Sequence, residues 1–351
     1  MRLEDQSEVS TLAPSFSAQD ARARLVDKFG REITDLRLSI TDRCNYKCVY
    51  CRTGKVGAQY PELALADYVR MARLFARLGI RKVRLTGGEP LLRHDVVELV
   101  GELAGLRSRD GQPVEVALTT NGHLLAELAR PLKEAGLRRV TVSMDAVEAE
   151  RFARITRVPG SYEAVLAGVR AAREAGLKPL KVNCVLLRGF NEDQIVPFAG
   201  FARQEDVVVR FIEFMPLEEE RVWSPQIVVT MDEVLAGIRS RYLLHEIPRD
   251  PSETARRYCF DDGMGEIGII APVSHPFCGH CSRVRITSDG KVRTCLFSVF
   301  EHDLAGLMRK GATDGEVMDW ILQVVLTKEE RHHIGEPGFV PASRTMVHIG
   351  G

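Results

Sequence analysis

Six of the eight cysteines in this 351-residue chain fall into two groups. Cys44, Cys48 and Cys51 lie in CNYKCVYC, and Cys278, Cys281 and Cys295 lie in FCGHCSRVRITSDGKVRTCLF, while Cys184 and Cys259 stand apart. Sets of three cannot pair off as disulfides, so each group reads as a ligand set for metal. Spacings of four and three residues let three thiolates converge from one short loop on a cuboidal iron-sulfur cluster, leaving the fourth iron without a protein ligand. Such an open iron can bind a small molecule. Zinc held by three cysteines and a histidine is the competing chemistry. No histidine lies between residues 10 and 93 to serve the first group. For the second, His275 or His280 could complete a structural zinc site, and spacing alone suits both metals.

Two further motifs carry chemistry. In TGGEP, residues 86 to 90, the two glycines let backbone approach a ligand's amino group and Glu89 can accept its hydrogen bonds. An ordinary strand-to-helix turn would read the same way. Arg283 and Arg285 alternate with Val284 and Ile286, which puts both guanidiniums on one face, suited to a phosphate or a base edge, or simply to solvent.

The elements that must position these groups alternate strand and helix. Strands are expected at 35–41, 82–86, 114–120, 139–145, 180–187 and 207–214, and amphipathic helices at 65–78, 94–107, 123–135, 161–175 and 192–204, several closed by Gly79, Gly136 or Gly176. Six such units with helical crossovers make an α/β fold, a parallel sheet with helices outside. A parallel sheet covered by helices should be apolar on both faces. Here one parity is polar: Arg37, Ser39 and Thr41, then Lys82, Arg84 and Thr86, then Glu115, Ala117 and Thr119, then Thr141, Ser143 and Asp145, then Lys181 and Asn183. That face is expected to line a ligand-filled lumen, with a solvent-facing sheet as the alternative. Residues 1–28 are polar and aperiodic and are expected to be a mobile arm, 29–247 the barrel, and 248–351 a smaller metal-stapled domain with a helix near 314–326.

Composition sets outer limits. Lysine plus arginine equals aspartate plus glutamate at 48 each, so no general polyanion-binding surface is expected and a basic site must be local. The first residues lack a signal-peptide pattern and no run of 18 apolar residues occurs, so a cytoplasmic protein without a membrane span is expected.

CNYKCVYC resembles the CxxxCxxC cluster loop of the radical S-adenosylmethionine (SAM) enzymes, and TGGEP is similar to their second motif. With TTNG at 119–122, VSMDA at 142–146, KVNCV at 181–185, RFIEFM at 210–215, CxxCxRxR and the terminal IGG, the chain from about residue 30 onward closely resembles the GTP 3′,8-cyclase family of molybdenum cofactor biosynthesis. The resemblance implies a partial (βα)6 TIM-like barrel of the radical SAM type with a smaller C-terminal iron-sulfur domain. It implies two [4Fe-4S] clusters, on Cys44, Cys48 and Cys51 and on Cys278, Cys281 and Cys295. It places SAM at Tyr50, Gly88, Glu89, Ser143 and Met215, and GTP at Arg37, Arg84, Thr119, Lys181, Arg283 and Arg285. Gly350 and Gly351 become a catalytic tail, expected here as an extended segment. GTP is the implied substrate, converted to 3′,8-cyclo-7,8-dihydro-GTP; an external electron donor and a downstream cyclic pyranopterin synthase are implied partners, and a homodimer is left open. One departure stands out: Arg52 and Thr53 follow Cys51 where many relatives continue Met-Pro. Two other classes compete. A peptide-modifying radical enzyme would usually carry more C-terminal cysteines. A metal-stapled nucleic-acid binder using Arg283 and Arg285 is disfavoured by zero net charge and the lack of an aromatic-interleaved basic stripe.

Overall fold

A computed structural model describes residues 24–51, 57–218 and 220–350. Six strands run parallel in sequence order: β1 (Asp35–Ser39), β2 (Lys82–Thr86), β3 (Glu115–Thr120), β4 (Arg139–Ser143), β5 (Lys181–Leu186) and β6 (Val208–Glu213). Helices Leu65–Arg77, Val96–Ala104, Leu125–Glu134, Ser161–Glu174 and Ile195–Gln204 form the crossovers, within a few residues of expectation. Each turns an apolar stripe to the outward parity of the strands, where Leu36, Leu38, Val83, Leu85, Val116, Leu118, Val140, Val142 and Val182 are buried. The sheet is thus apolar where it meets helices and polar inside.

The C-terminal third does not build a sheet of its own. It supplies β7 (Leu244–Ile247), β8 (Arg256–Phe260), β9 (Glu266–Ile270), β10 (Arg283–Ile286), β11 (Lys291–Arg293) and β12 (His302–Asp303). β9 pairs parallel with β6, and β10 pairs parallel with β1, so one twelve-stranded sheet runs β12-β11-β10-β1-β2-β3-β4-β5-β6-β9-β8-β7. Only the GEIGIIAPV and RVRITSDGKVRTCLF stretches, which hold β9, β10 and β11, read as strands from sequence; their place as partners of β6 and β1 did not, because the β1–β10 pairing spans more than two hundred residues and leaves no local signal. Helix Asp314–Leu326 falls where expected and starts with a capping box between Thr313 and Glu316.

The end of the expected arm is docked. Leu25 and Ile33 are each 1% exposed, Val26 bridges to Glu32, and the Leu25 amide donates to Leu78. The short apolar-acidic run Leu25–Asp27 was too brief to show periodicity; residues 1–23 lie outside the described part.

Candidate functional site

The first cysteine loop leaves β1 and is braced by the turn after β2. The Gly88 amide donates to Thr41 and the Glu89 amide to Arg43, at 2.8 and 2.7 Å. A Cβ on Gly87 would lie 2.3 Å from the Thr41 carbonyl, and one on Gly88 2.3 Å from that of Arg43, so only glycine lets the two loops touch. Asn121 at the end of β3 donates to Asn45, and Tyr50 donates to Asp145 at 2.5 Å. All three thiols border one lumen of about 400 Å³.

The lumen wall is the polar parity of the strands. Parallel pairing sets Arg285, Arg37, Arg84, Ala117 and Arg139 in one row of the pleat, and Arg210 opposite Asn183 and Gly268. A Cβ on Gly268 would fall 2.8 Å from the Arg210 Cγ, so this glycine makes room for that side chain. Lys82 pairs with Asp35, Arg139 with Glu115 and Arg257 with Glu266. Among the described residues no such carboxylate partner reaches Arg37, Arg84, Lys181, Arg210, Arg283 or Arg285. Burial, then neighbouring cations, push Arg37 down to about 9 and Lys181 down to about 8. The same causes push Arg285 well down. Cations crowded this way in a buried wall need an anion to stabilise them.

The second cysteine group borders the same lumen from the β10 side, with Cys278 in a short 3₁₀ turn and Cys295 just after β11. Burial raises the Cys281 thiol, but Arg283 and Lys328 outweigh it and bring the group down to about 6. The C-terminal tail enters between these parts. Met346–Ile349 form one helical turn, and the Gly350 carbonyl accepts from Arg285 at 2.5 Å.

The cysteine sets fit clusters better than single ions. Burial, Asp145 and the other two thiols push Cys48 well up, so the first three sulfurs lie close enough to oppose one another's ionisation and a cationic group among them relieves it. A cuboid takes its thiolates on separate irons, so a trio of cysteines suits it without a fourth protein ligand. His332 borders the lumen near Cys278, whereas neither His275 nor His280, the candidates for a fourth ligand in the zinc alternative, does.

Most expected site residues meet in this lumen: both cysteine trios, Tyr50, Gly88, Ser143, Met215, Arg37, Arg84, Thr119, Lys181, Arg283 and Arg285. Glu89 does not. Fully buried, it accepts from the Thr120 hydroxyl at 2.7 Å, the Leu91 amide at 2.9 Å and the Asn121 amide at 2.6 Å, and so braces the end of β3. The tail is likewise a helical turn rather than an extended segment, a form four residues are too few to announce. Gly351, Arg52 and Thr53 lie outside the described residues. Arg139, Arg210, Glu253 and Lys328 also line the lumen. Strand parity extended to Arg139 and Arg210 would have found those two; Glu253 and Lys328 come from loops with no period to read.

Residues 38–202 match the Radical SAM superfamily and 207–334 match Molybdenum Cofactor Synthesis C. A GTP 3′,8-cyclase of Corynebacterium glutamicum is 42% identical over 342 residues, 95% of this chain and 90% of that protein. The chain belongs to the GTP 3′,8-cyclase family. Another cyclase, from Acidothermus cellulolyticus, is 42% identical over 86% of this chain and 84% of its own. Molybdenum cofactor biosynthesis protein 1 of Drosophila melanogaster is 37% identical over 94% of this chain and 58% of its own. Among solved structures, histidine-tagged anSMEcpe with bound AdoMet shares the fold with a TM-score of 0.58 at 15% identity, over 85% of this chain and 78% of that one. Streptococcus suis SuiB bound to S-adenosylmethionine gives 0.57 at 14%, over 82% and 68%. Membership in the cyclase family brings two [4Fe-4S] clusters and SAM as cofactors. Among the described residues no helix is long and apolar enough to cross a membrane.

Proposed function

We propose that this chain is a radical SAM GTP 3′,8-cyclase that converts GTP to (8S)-3′,8-cyclo-7,8-dihydro-GTP, the first step of molybdenum cofactor biosynthesis. The observation that carries it is one lumen bordered by two cysteine trios and walled by buried cations lacking carboxylate partners. A triphosphate brings about four negative charges, which matches that wall in an otherwise neutral protein.

Cys44, Cys48 and Cys51, which border the lumen together, would hold the first cluster, and with bound SAM it would supply one-electron radical chemistry toward the ribose. Tyr50, Gly88, Ser143 and Met215 border the SAM position. Arg84, Thr119 and Lys181 grip the nucleotide from β2, β3 and β5. Arg37, Arg283 and Arg285 do so from β1 and β10, beside the second trio, whose cluster would offer an open iron to the base. Held from several strands, the ribose is fixed against rotation, and the surrounding wall excludes water from a reactive centre. Residues 29–247 thus generate the radical and 248–351 help hold its target, with Gly350 and Gly351 as the closing tail. An external electron donor, transfer of product to a cyclic pyranopterin synthase, and a cytoplasmic, reducing setting for eight thiols complete the reading.

The test is anaerobic incubation of cluster-reconstituted protein with SAM, a reductant and each of the four nucleoside triphosphates. GTP alone should yield cyclised nucleotide together with 5′-deoxyadenosine; product from ATP at a similar rate would overturn the assignment.

A further inference from the structure

Gly350 has no side chain by which to be held, and ordering a glycine backbone is entropically costly. Yet its place is exact in space: a Cβ there would lie 2.4 Å from the Thr86 Oγ1 and 2.9 Å from the Ser39 Cβ. Something upstream must set how far the tail enters.

We propose that Arg344 is a positioning residue for the tail: clamped on Asp289, it fixes the depth at which Gly350 reaches Arg285. Its two terminal nitrogens donate to the two Asp289 oxygens at 2.8 and 2.9 Å. Its Nε lies 2.8 Å from Glu301, and the guanidinium plane sits 3.9 Å from the Tyr60 ring centroid. The side chain is 5% exposed, so every edge and one face of the fork are engaged. The receiving groups are themselves fixed. Thr287 donates to Asp289 at 2.6 Å, and Glu301 also holds Arg293 at 2.7 Å.

Geometry makes the clamp a ruler. Asp289 lies in the turn joining β10 to β11, and Arg285 lies on β10, so both ends of the segment from Arg344 to Gly350 are tied to one hairpin. Between them the chain is one short turn: the Met346 amide donates to Leu217, the Gly350 amide to Met346, and Ile349 is fully buried. Little slack remains to absorb a shift at Arg344. The inference rests on the lumen being the GTP site; the alternative is a salt bridge that only stabilises the hairpin.

Arg344→Lys removes the bidentate fork and Asp289→Asn keeps the shape while removing the charge. In full-length, cluster-loaded protein, hydrogen exchange at the amides of residues 346–350 should rise about tenfold or more in each variant, while iron content and GTP affinity stay within about twofold of the parent. Cyclised product should fall in parallel with lost protection. Should Arg344→Lys loosen the whole chain, the near-isosteric Asp289→Asn decides. Unchanged tail exchange in Asp289→Asn, or raised exchange with product formed at the parental rate, overturns the clamp. Equal GTP and ATP binding by the parent would instead overturn the substrate reading, leaving the exchange result to judge the clamp on its own.

Discussion

The Arg283 guanidinium donates to the Cys281 sulfur at 3.2 Å. One side chain therefore serves both the lumen wall and the second cysteine set, and it also lies over the Phe277 ring. Lys328 reinforces the arrangement by donating to the Arg283 and Thr294 carbonyls.

Substitution of the lumen cations should separate into two kinds. Arg84→Ala and Lys181→Ala should weaken GTP binding about ten- to a hundredfold with iron content unchanged, since each removes a charge-assisted contact worth about 1.5 to 3 kcal/mol. Arg283→Ala should weaken GTP binding and also lower iron to about one cluster per chain. Equilibrium GTP binding and iron analysis on the same preparations check this; full iron occupancy in Arg283→Ala would refute the shared role.

GTP binding should take up a proton in mildly alkaline solution. Burial and then Arg210 and Arg139 bring Lys181 down from 10.5 to about 8. The empty folded site releases this proton near pH 8, while the unfolded lysine keeps it to about 10.5; the burial cost is full below about 8 and fades as pH rises through that window, where the unfolded state binds more protons, so stability rises across it. A bound triphosphate restores the higher value, so affinity should decline as pH rises past about 8, with proton uptake on binding. Calorimetry in two buffers of different ionisation enthalpy measures the uptake, and Lys181→Arg should abolish it. An identical heat in both buffers would contradict the assignment.

Cys184→Ala should leave iron content intact. Its side chain is buried on the helix-facing parity of β5, with its thiol toward the Asp145 carbonyl at 3.8 Å. The expected cost is about 1 kcal/mol of stability from a small cavity. Cys295→Ala should lose one cluster. The reverse pattern in an iron assay would overturn the ligand sets.

Gly88→Ala should damage the first metal centre without touching a ligand. The added methyl meets the Arg43 carbonyl at 2.3 Å, next to Cys44, and the Val347 side chain of the tail at 2.9 Å. The cysteine loop or the β2 turn must shift, so iron and SAM binding should both fall while GTP binding persists. Normal SAM binding in a calorimetric titration would show that the loop absorbs the methyl.

The barrel was readable because its signal is local. Period-two alternation separates Arg37 and Arg84 from Leu36 and Leu85 within single strands, and glycines close the helices. What escaped depends on contacts between distant segments. Nothing near Arg283 says that β10 will lie beside β1, and nothing near Leu25 says that it will fill the core. Glu89 sits in a glycine turn where a carboxylate looks available, and its three protein donors become visible only in the folded chain. The motif residues indicated which groups assemble, while their separation into ligand-facing and bracing roles emerged only from packing.

The pairing of β10 with β1 also imposes an order on biogenesis. A strand centred near residue 284 docks on one centred near residue 37, so during synthesis the first strand must wait with one edge bare until most of the polypeptide has left the ribosome. Until then Arg37 faces no Arg285, the second trio has no floor, and the tail has nowhere to seat. A truncated nascent chain can therefore carry the first cysteine loop but not a closed chamber around it. Late closure of the sheet makes the enclosed lumen depend on the arrival of β10, so the cation wall and the second trio take their places together.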